Sequence, residues 1–347
     1  METKRFSRLL TIAALISLGI SSASQGEEPT AIVAPGAQLE RVFDGGHFLE
    51  GPAAAPDGSI YFSDITFSSQ SGMQAGHIWR FDPRSGQTSL FRSPSGMSNG
   101  IIFDRKGRML VAEGADFGGR KVTRTDMTTG KSYILAGLFE GHPFNAPNDI
   151  AIDRKGRVYF TDPRYLGHEP IEQPVTGIYR IDPNGSVHRI VSELWKPNGI
   201  AVSPDDKTIY VVTVGDFRLD IFRVEGRVTE QEPPSVIHAF DLAPDGTAKN
   251  RRVLVAYPMG RSADGITVDA EGNVYAAVSG TANHHGVYVY SPSGEELGHI
   301  PTPEGAANLE FGRGDESNVL YVTANTSLYR IRLKKVGYHL PQSQGDQ

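Results

Sequence analysis

Between Ala146 and Asp162 the chain alternates apolar and polar residues over Ile150–Asp153. It turns at Lys155-Gly156 and alternates again through Phe160. This pattern predicts a β-hairpin, two short strands around a glycine turn. The layout recurs from Ser98-Asn99-Gly100-Ile101 to Val111, from Pro197-Asn198-Gly199-Ile200 to Tyr210, and from Ala263-Asp264-Gly265-Ile266 to Tyr275. A looser first copy runs from Glu50-Gly51-Pro52 to Phe62. A looser last copy runs from Ala307-Asn308-Leu309 to Val322.

Aligned on these copies, one position reads Glu50, Asn99, Asn148, Asn198, Asp264 and Ala307, with steps of 49, 49, 50, 66 and 43 residues. A strand-rich unit of about 40–50 residues, repeated, is the mark of a β-propeller. Second turns at Asp82-Pro83, Asp182-Pro183-Asn184-Gly185 and Ser291-Pro292-Ser293-Gly294 complete four strands per unit. The chain is therefore read as all-β, a six-bladed β-propeller over residues 38–335. The last unit holds only three candidate strands, so Gln38–Phe43 is assigned as its outer strand. That pairing closes the ring and removes a free sheet edge. Residues 336–347 are polar and are expected to form a disordered tail.

Equivalent positions on the blades point at one axis. Here they bring two carboxylates and three carboxamides together, with no Lys or Arg. In one repeat Asn-Gly or Asn-Asp is a turn; in four repeats, with an acid in two of the blades, the pattern points to a site. Hard oxygen donors of this kind suit a divalent cation, Ca²⁺ before Mg²⁺. The absence of His and Cys from the ring speaks against zinc. Loops after the second strand of each blade surround the same mouth. They bring Arg164, Tyr165, His284 and His285 forward as candidate substrate contacts, and Gly215–Pro234, the source of the 66-residue step, as a candidate pocket wall.

The formal charge of −6 gives no electrostatic reason to expect nucleic acid or an anionic membrane as partner. Lys4, Arg5 and Arg8 precede an apolar run from Leu9 to Ile20 and the small residues Ser21-Ser22-Ala23. Residues 1–23 are thus read as a secretory signal peptide and 24–37 as a linker, with a periplasmic or secreted destination and no membrane contact after cleavage. The chain has no cysteine, so disulfides and thiolate metal sites are excluded. No His-Glu-x-x-His motif occurs.

Glu-Gly-Pro at 50–52, Pro-Asn-Asp at 147–149, Pro-Asn-Gly at 197–199 and Asp-Gly-Ile at 264–266, in order and each before an Asp/Gly hairpin, resemble a known family. It is the gluconolactonase, senescence-marker-protein (regucalcin) and luciferin-regenerating-enzyme-like family. The resemblance spans about residues 40–335. It implies a six-bladed propeller with one divalent metal in its channel, hydrolysing sugar lactones and, in relatives, organophosphates. It also implies that Glu50, Asn198 and Asp264 are metal ligands and that Asn148 completes the shell or touches substrate. Asp264 matches the catalytic base, and Asn99 matches a substrate-side residue of bacterial lactonases. One departure stands out: Ala146 occupies a position where the animal lactonases carry Arg.

The expectation is an exported, divalent-metal-dependent hydrolase of a small-molecule ester, a sugar-type lactone first. Zn²⁺, Mn²⁺ and Mg²⁺ remain open beside Ca²⁺. The rivals are a phosphotriesterase-like hydrolase and a non-catalytic propeller that binds a ligand or protein, its metal structural. The sequence names no partner protein.

Overall fold

A computed structural model describes residues 32–214 and 235–342. The expected signal peptide, most of the linker, the Gly215–Pro234 wall and residues 343–347 lie outside the described residues. Among those described, six four-stranded antiparallel sheets succeed one another along the chain, with one two-stranded hairpin, Leu138–Phe139 with His142–Pro143, between the second and third. The innermost strands are Leu49–Ala54, Ser98–Phe103, Ile150–Ile152, Pro197–Val202, Arg261–Val268 and Ala306–Phe311. The sixth blade takes Glu40–Asp44 as its outer strand, antiparallel to Ser327–Arg332, with Arg41 opposite Tyr329 and Phe43 opposite Leu328. The six-bladed propeller closes as the sequence predicts.

The repeated turn has a local cause. In blades two, three and five the Oδ1 atoms of Asp104, Asp153 and Asp269 each accept two backbone N–H groups across the turn, at 2.9–3.0 Å. The glycine that follows sits at positive φ, 78° at Gly156, where a Cβ would be strained.

The core consists of interfaces between neighbouring blades. Strand alternation sends successive side chains to opposite faces, and both faces of a blade are covered. Phe62 and Ile60 pack toward blade six, with Tyr321 and Leu328. Tyr61, between them, packs toward blade two, with Phe103 and Val111. Likewise Tyr159 meets Ile200 and Val211 of blade four, while Val158 and Phe160 meet Leu110 and Ala112 of blade two. The second strands of blades one, two, three and six are accordingly buried along their whole length.

Two segments expected to be loose are packed. Ile32 is buried against blades five and six, and Val33 bridges Leu333. Residues 336–342, expected to begin a disordered tail, instead cross the base of the channel. Tyr338 N–H bonds Val268 O at 3.1 Å and Gly337 N–H bonds Ser317 O at 2.9 Å. Leu340 is buried beside Leu110 and Ile152. The expectation counted polar residues; Tyr338 and Leu340, two apart in an extended segment, supply the apolar face it overlooked.

Candidate functional site

The inner strands of blades one, two, four and five begin beneath the mouth with an irregularity. The register to the second strand shifts between Glu50 and Ala53, Ser98 and Ile101, Pro197 and Ile200, and Ala263 and Ile266. Such bulges break the ladder and re-aim a side chain. Those they turn inward are Glu50, Asn99, Asn198 and Asp264. In blade three the regular strand starts only at Ile150, and Asn148 is held by its N–H to Thr161 O at 2.9 Å. The residue after the ring position is mostly glycine, so adjacent inner strands can close on one another. A Cβ on Gly199 would lie 2.3 Å from the carbonyl oxygen of Asp264.

Above this floor lies a pocket of about 430 Å³, lined by all five ring residues. Glu50, Asn99, Asn148 and Asn198 are buried; Asp264 keeps part of its surface open to the pocket. Three ring oxygens, Asn99 Oδ1, Asn148 Oδ1 and Asp264 Oδ1, are buried with no hydrogen-bond partner. Buried acceptors are costly when unpaired. The carboxylates are disfavoured as anions as well. Glu50 is raised well above the usual carboxylate range by burial first, then by the charges of Asp264 and Asp149, against a bond from Gly51 N–H. Burial first and Asp149 second push Asp264 up to about 7, against a hydrogen bond from Asn198. Like charges gathered with orphaned oxygens are what a dication would relieve. Among the described residues no group of three or more His, Cys, Asp and Glu side chains comes together as a metal cluster. This ring has two carboxylates and draws its other donors from carboxamides. Glu50, Asn148, Asn198 and Asp264 are the side chains able to hold a cation, and their all-oxygen chemistry suits a hard one.

The other candidates divide. Tyr165 lines the pocket; its hydroxyl donates to Lys196 O at 3.2 Å. Arg164 does not line it. Its guanidinium is 1% exposed and donates to Asn145 O at 2.9 Å and to Glu169 O, so it braces the blade-three loop. His284 and His285 do not line the pocket either. Arg261 Nη2 donates to His284 Nδ1 at 2.7 Å, and Gly280 N–H donates to His285 Nδ1 at 3.2 Å. These loop residues have no repeat partner, so nothing in the sequence fixes which way they face.

Residues that the sequence reading missed complete the site. Asp149 and Asn308 form a second layer one residue past the ring, where the other blades have glycine. The Asn-Asp and Ala-Asn pairs carried that signal. Phe48, Ile65, Phe67, Met97, Leu166 and Val214 make apolar walls, and Lys196, Ser262 and Ser279 also line the pocket.

Residues 48–326 match the SMP-30/gluconolactonase/LRE-like region family model. The chain is 27% identical over 306 residues to a gluconolactonase of Zymomonas mobilis, covering 81% of this chain and 79% of that one. It is 25% identical over 279 residues to a pentonolactonase of Haloferax volcanii, covering 79% and 80%. Among solved structures, that of a gluconolactonase from Xanthomonas campestris superposes with a TM-score of 0.70 at 29% identity, covering 87% of this chain and 91% of that one.

Proposed function

The chain belongs to the SMP-30/gluconolactonase/LRE-like family, and from that membership and its floor of oxygen donors we propose that it is a divalent-metal-dependent lactonase acting outside the cytoplasm. The observation that carries the reading is the convergence of Glu50, Asn99, Asn148, Asn198 and Asp264 on one pocket, with three of their oxygens unpartnered. The names of the relatives supply the reaction class, opening of a cyclic ester. Export is supported by the basic, apolar and small-residue order of residues 1–23.

Glu50, Asn148, Asn198 and Asp264 would hold the cation, Ca²⁺ first. A bound dication supplies charge that polarises an ester carbonyl and stabilises the developing oxyanion. The chain's own groups do the rest. Asn99 and Asn148 offer oxygens and amide N–H groups to the substrate. Asp264, whose buried Oδ1 has no hydrogen-bond partner, accepts the proton of the attacking water and returns it to the alkoxide as the ring C–O bond breaks. The sugar-type lactone implied by the resemblance has less support, because Ala146 presents only a methyl group to the pocket. The apolar walls favour a second reading, a ligand-binding propeller without chemistry. Turnover separates the two. The purified protein, stripped and reloaded with Ca²⁺, Mg²⁺, Mn²⁺ or Zn²⁺, is assayed on a lactone panel. Metal-dependent hydrolysis is expected, and its absence with every metal would leave the binding reading.

A further inference from the structure

We propose that the ester taken by this pocket carries an apolar substituent, an alkyl chain or an aromatic ring, in place of the row of hydroxyls on a sugar lactone. The proposal rests on the lactonase reading and adds the class of substrate to it.

The argument is the division of the pocket by height. Among the described residues the carboxylates and carboxamides of the ring make the floor, where a single ester group would occupy them, and Gln70, Lys196, Ser262 and Ser279 are the other polar side chains that line the pocket beside Tyr165. Above the floor the first four blades contribute hydrocarbon: Phe48, Ile65 and Phe67, then Met97, then Leu166, then Val214. Phe48 and Phe67 lie with ring centroids 5.5 Å apart and build one continuous aromatic wall. The phenol of Tyr165 is already committed to Lys196 O. Among the described residues, Ser262 and Ser279 of blade five, Gln70 of the blade-one loop and Lys196 ahead of the fourth inner strand interrupt walls that are otherwise mostly hydrocarbon. The cavity of about 430 Å³ holds more than a bare lactone ring.

Solvation then decides between the substrates. A sugar hydroxyl pressed against these walls gives up its water without gaining a partner, at a cost of about tenfold or more in binding. A methylene at the same place gains about fourfold. Several positions change sign together, so the two substrate classes should be widely separated.

The experiment is a series of kcat/KM measurements on the metal-loaded protein. The substrates are D-glucono-δ-lactone, δ-valerolactone and δ-valerolactones with 5-alkyl chains of increasing length. The expected result is a rise of about two- to fourfold per methylene until the cavity is filled, ending at least 100-fold above gluconolactone. Leu166→Ser and Phe67→Ser, made separately in case one fails to fold, should each flatten that slope. Preference for gluconolactone with no chain-length dependence would overturn the proposal and leave the lactonase reading standing. Hydrolysis of no lactone at all would sink the lactonase reading instead. In that case calorimetric binding of the matching 6-alkyl δ-lactams decides the ligand class. Affinity rising with chain length supports the apolar ligand, and affinity independent of it overturns the proposal.

Discussion

The Asp149 carboxylate accepts the backbone N–H of Ile200, one blade away, at 3.1 Å through Oδ2, while Oδ1 accepts the N–H of Ile150 at 2.9 Å. One side chain thus satisfies two buried donors and ties blade three to blade four directly below the ring. The fit requires glycine opposite: a Cβ on Gly100 would come within 2.6 Å of Asp149 Oδ1. Asp149→Ala leaves both N–H groups buried without an acceptor, at about 1–3 kcal/mol each. Urea unfolding should show a loss of about 2–4 kcal/mol for the Ala variant and less for Asp149→Asn, which keeps one acceptor oxygen. A loss under about 0.5 kcal/mol for Asp149→Ala, the scatter of ordinary surface substitutions, would mean that packing alone holds the two blades.

The candidate cation ligands come from blades one, three, four and five. An ion held by all four binds only the folded ring, so it should stabilise by mass action, by about 2.7 kcal/mol at a free concentration of 100 Kd. Chelation is expected to lower the melting temperature, and a divalent ion to restore it. If protein shown by elemental analysis to be metal-free melts at the same temperature as loaded protein, the ring is not a cation site.

Asp264→Asn separates ligation from proton transfer. The amide keeps an oxygen toward the pocket and loses the basic site. At saturating metal the variant should remain loaded while turnover falls by about 10²–10⁴-fold, the usual cost of losing a general base. Calorimetric metal titration beside lactone turnover makes the measurement. A loaded variant within about tenfold of the parent, less than a general base contributes, would move the base elsewhere.

The ring and the fold are legible for one reason: repetition. A residue such as Asn148 is uninformative alone, but Glu50, Asn99, Asn198 and Asp264 stand at the same place in other copies, and rotation about one axis brings them together. The same logic fails where the copies differ. Phe48 and Phe67 lie outside the repeated hairpin, so no register announces that they face the pocket. Arg164 carries charge in a mouth loop, which suggests a substrate contact. Its actual partners are the carbonyls of Asn145 and Glu169, and a backbone carbonyl has no sequence signature. Leu340 reads as one apolar residue in a polar tail until the base of the channel is there to receive it.

That base supplies a pH dependence distinct from the site. His339 Nε2–H lies 3.0 Å from both Phe311 O and Gly312 O. Burial first, and the charge of Arg313 second, lower its pKa to about 3. The unfolded chain takes up a proton near pH 6.5 while the folded chain does not, so the unfolded state binds more protons between about pH 6.5 and 3. Stability from this group is therefore whole above pH 6.5 and is lost as pH falls, by about 1.4 kcal/mol per pH unit at full slope. Glu310, raised to about 7 chiefly by burial, acts in the opposite sense, gaining stability as pH falls from 7 toward its ordinary range. The raw curve mixes these two with other buried carboxyls raised by burial, Asp149, Asp162 and Asp264 among them, so the difference between parent and His339→Gln is the quantity to measure. Gln keeps an N–H donor and does not titrate. Between pH 7 and 5 the parent should lose about 2 kcal/mol more than the variant in matched urea titrations. Parallel curves would show that the imidazole is solvated and that the C-terminal segment does not seal the channel at acid pH.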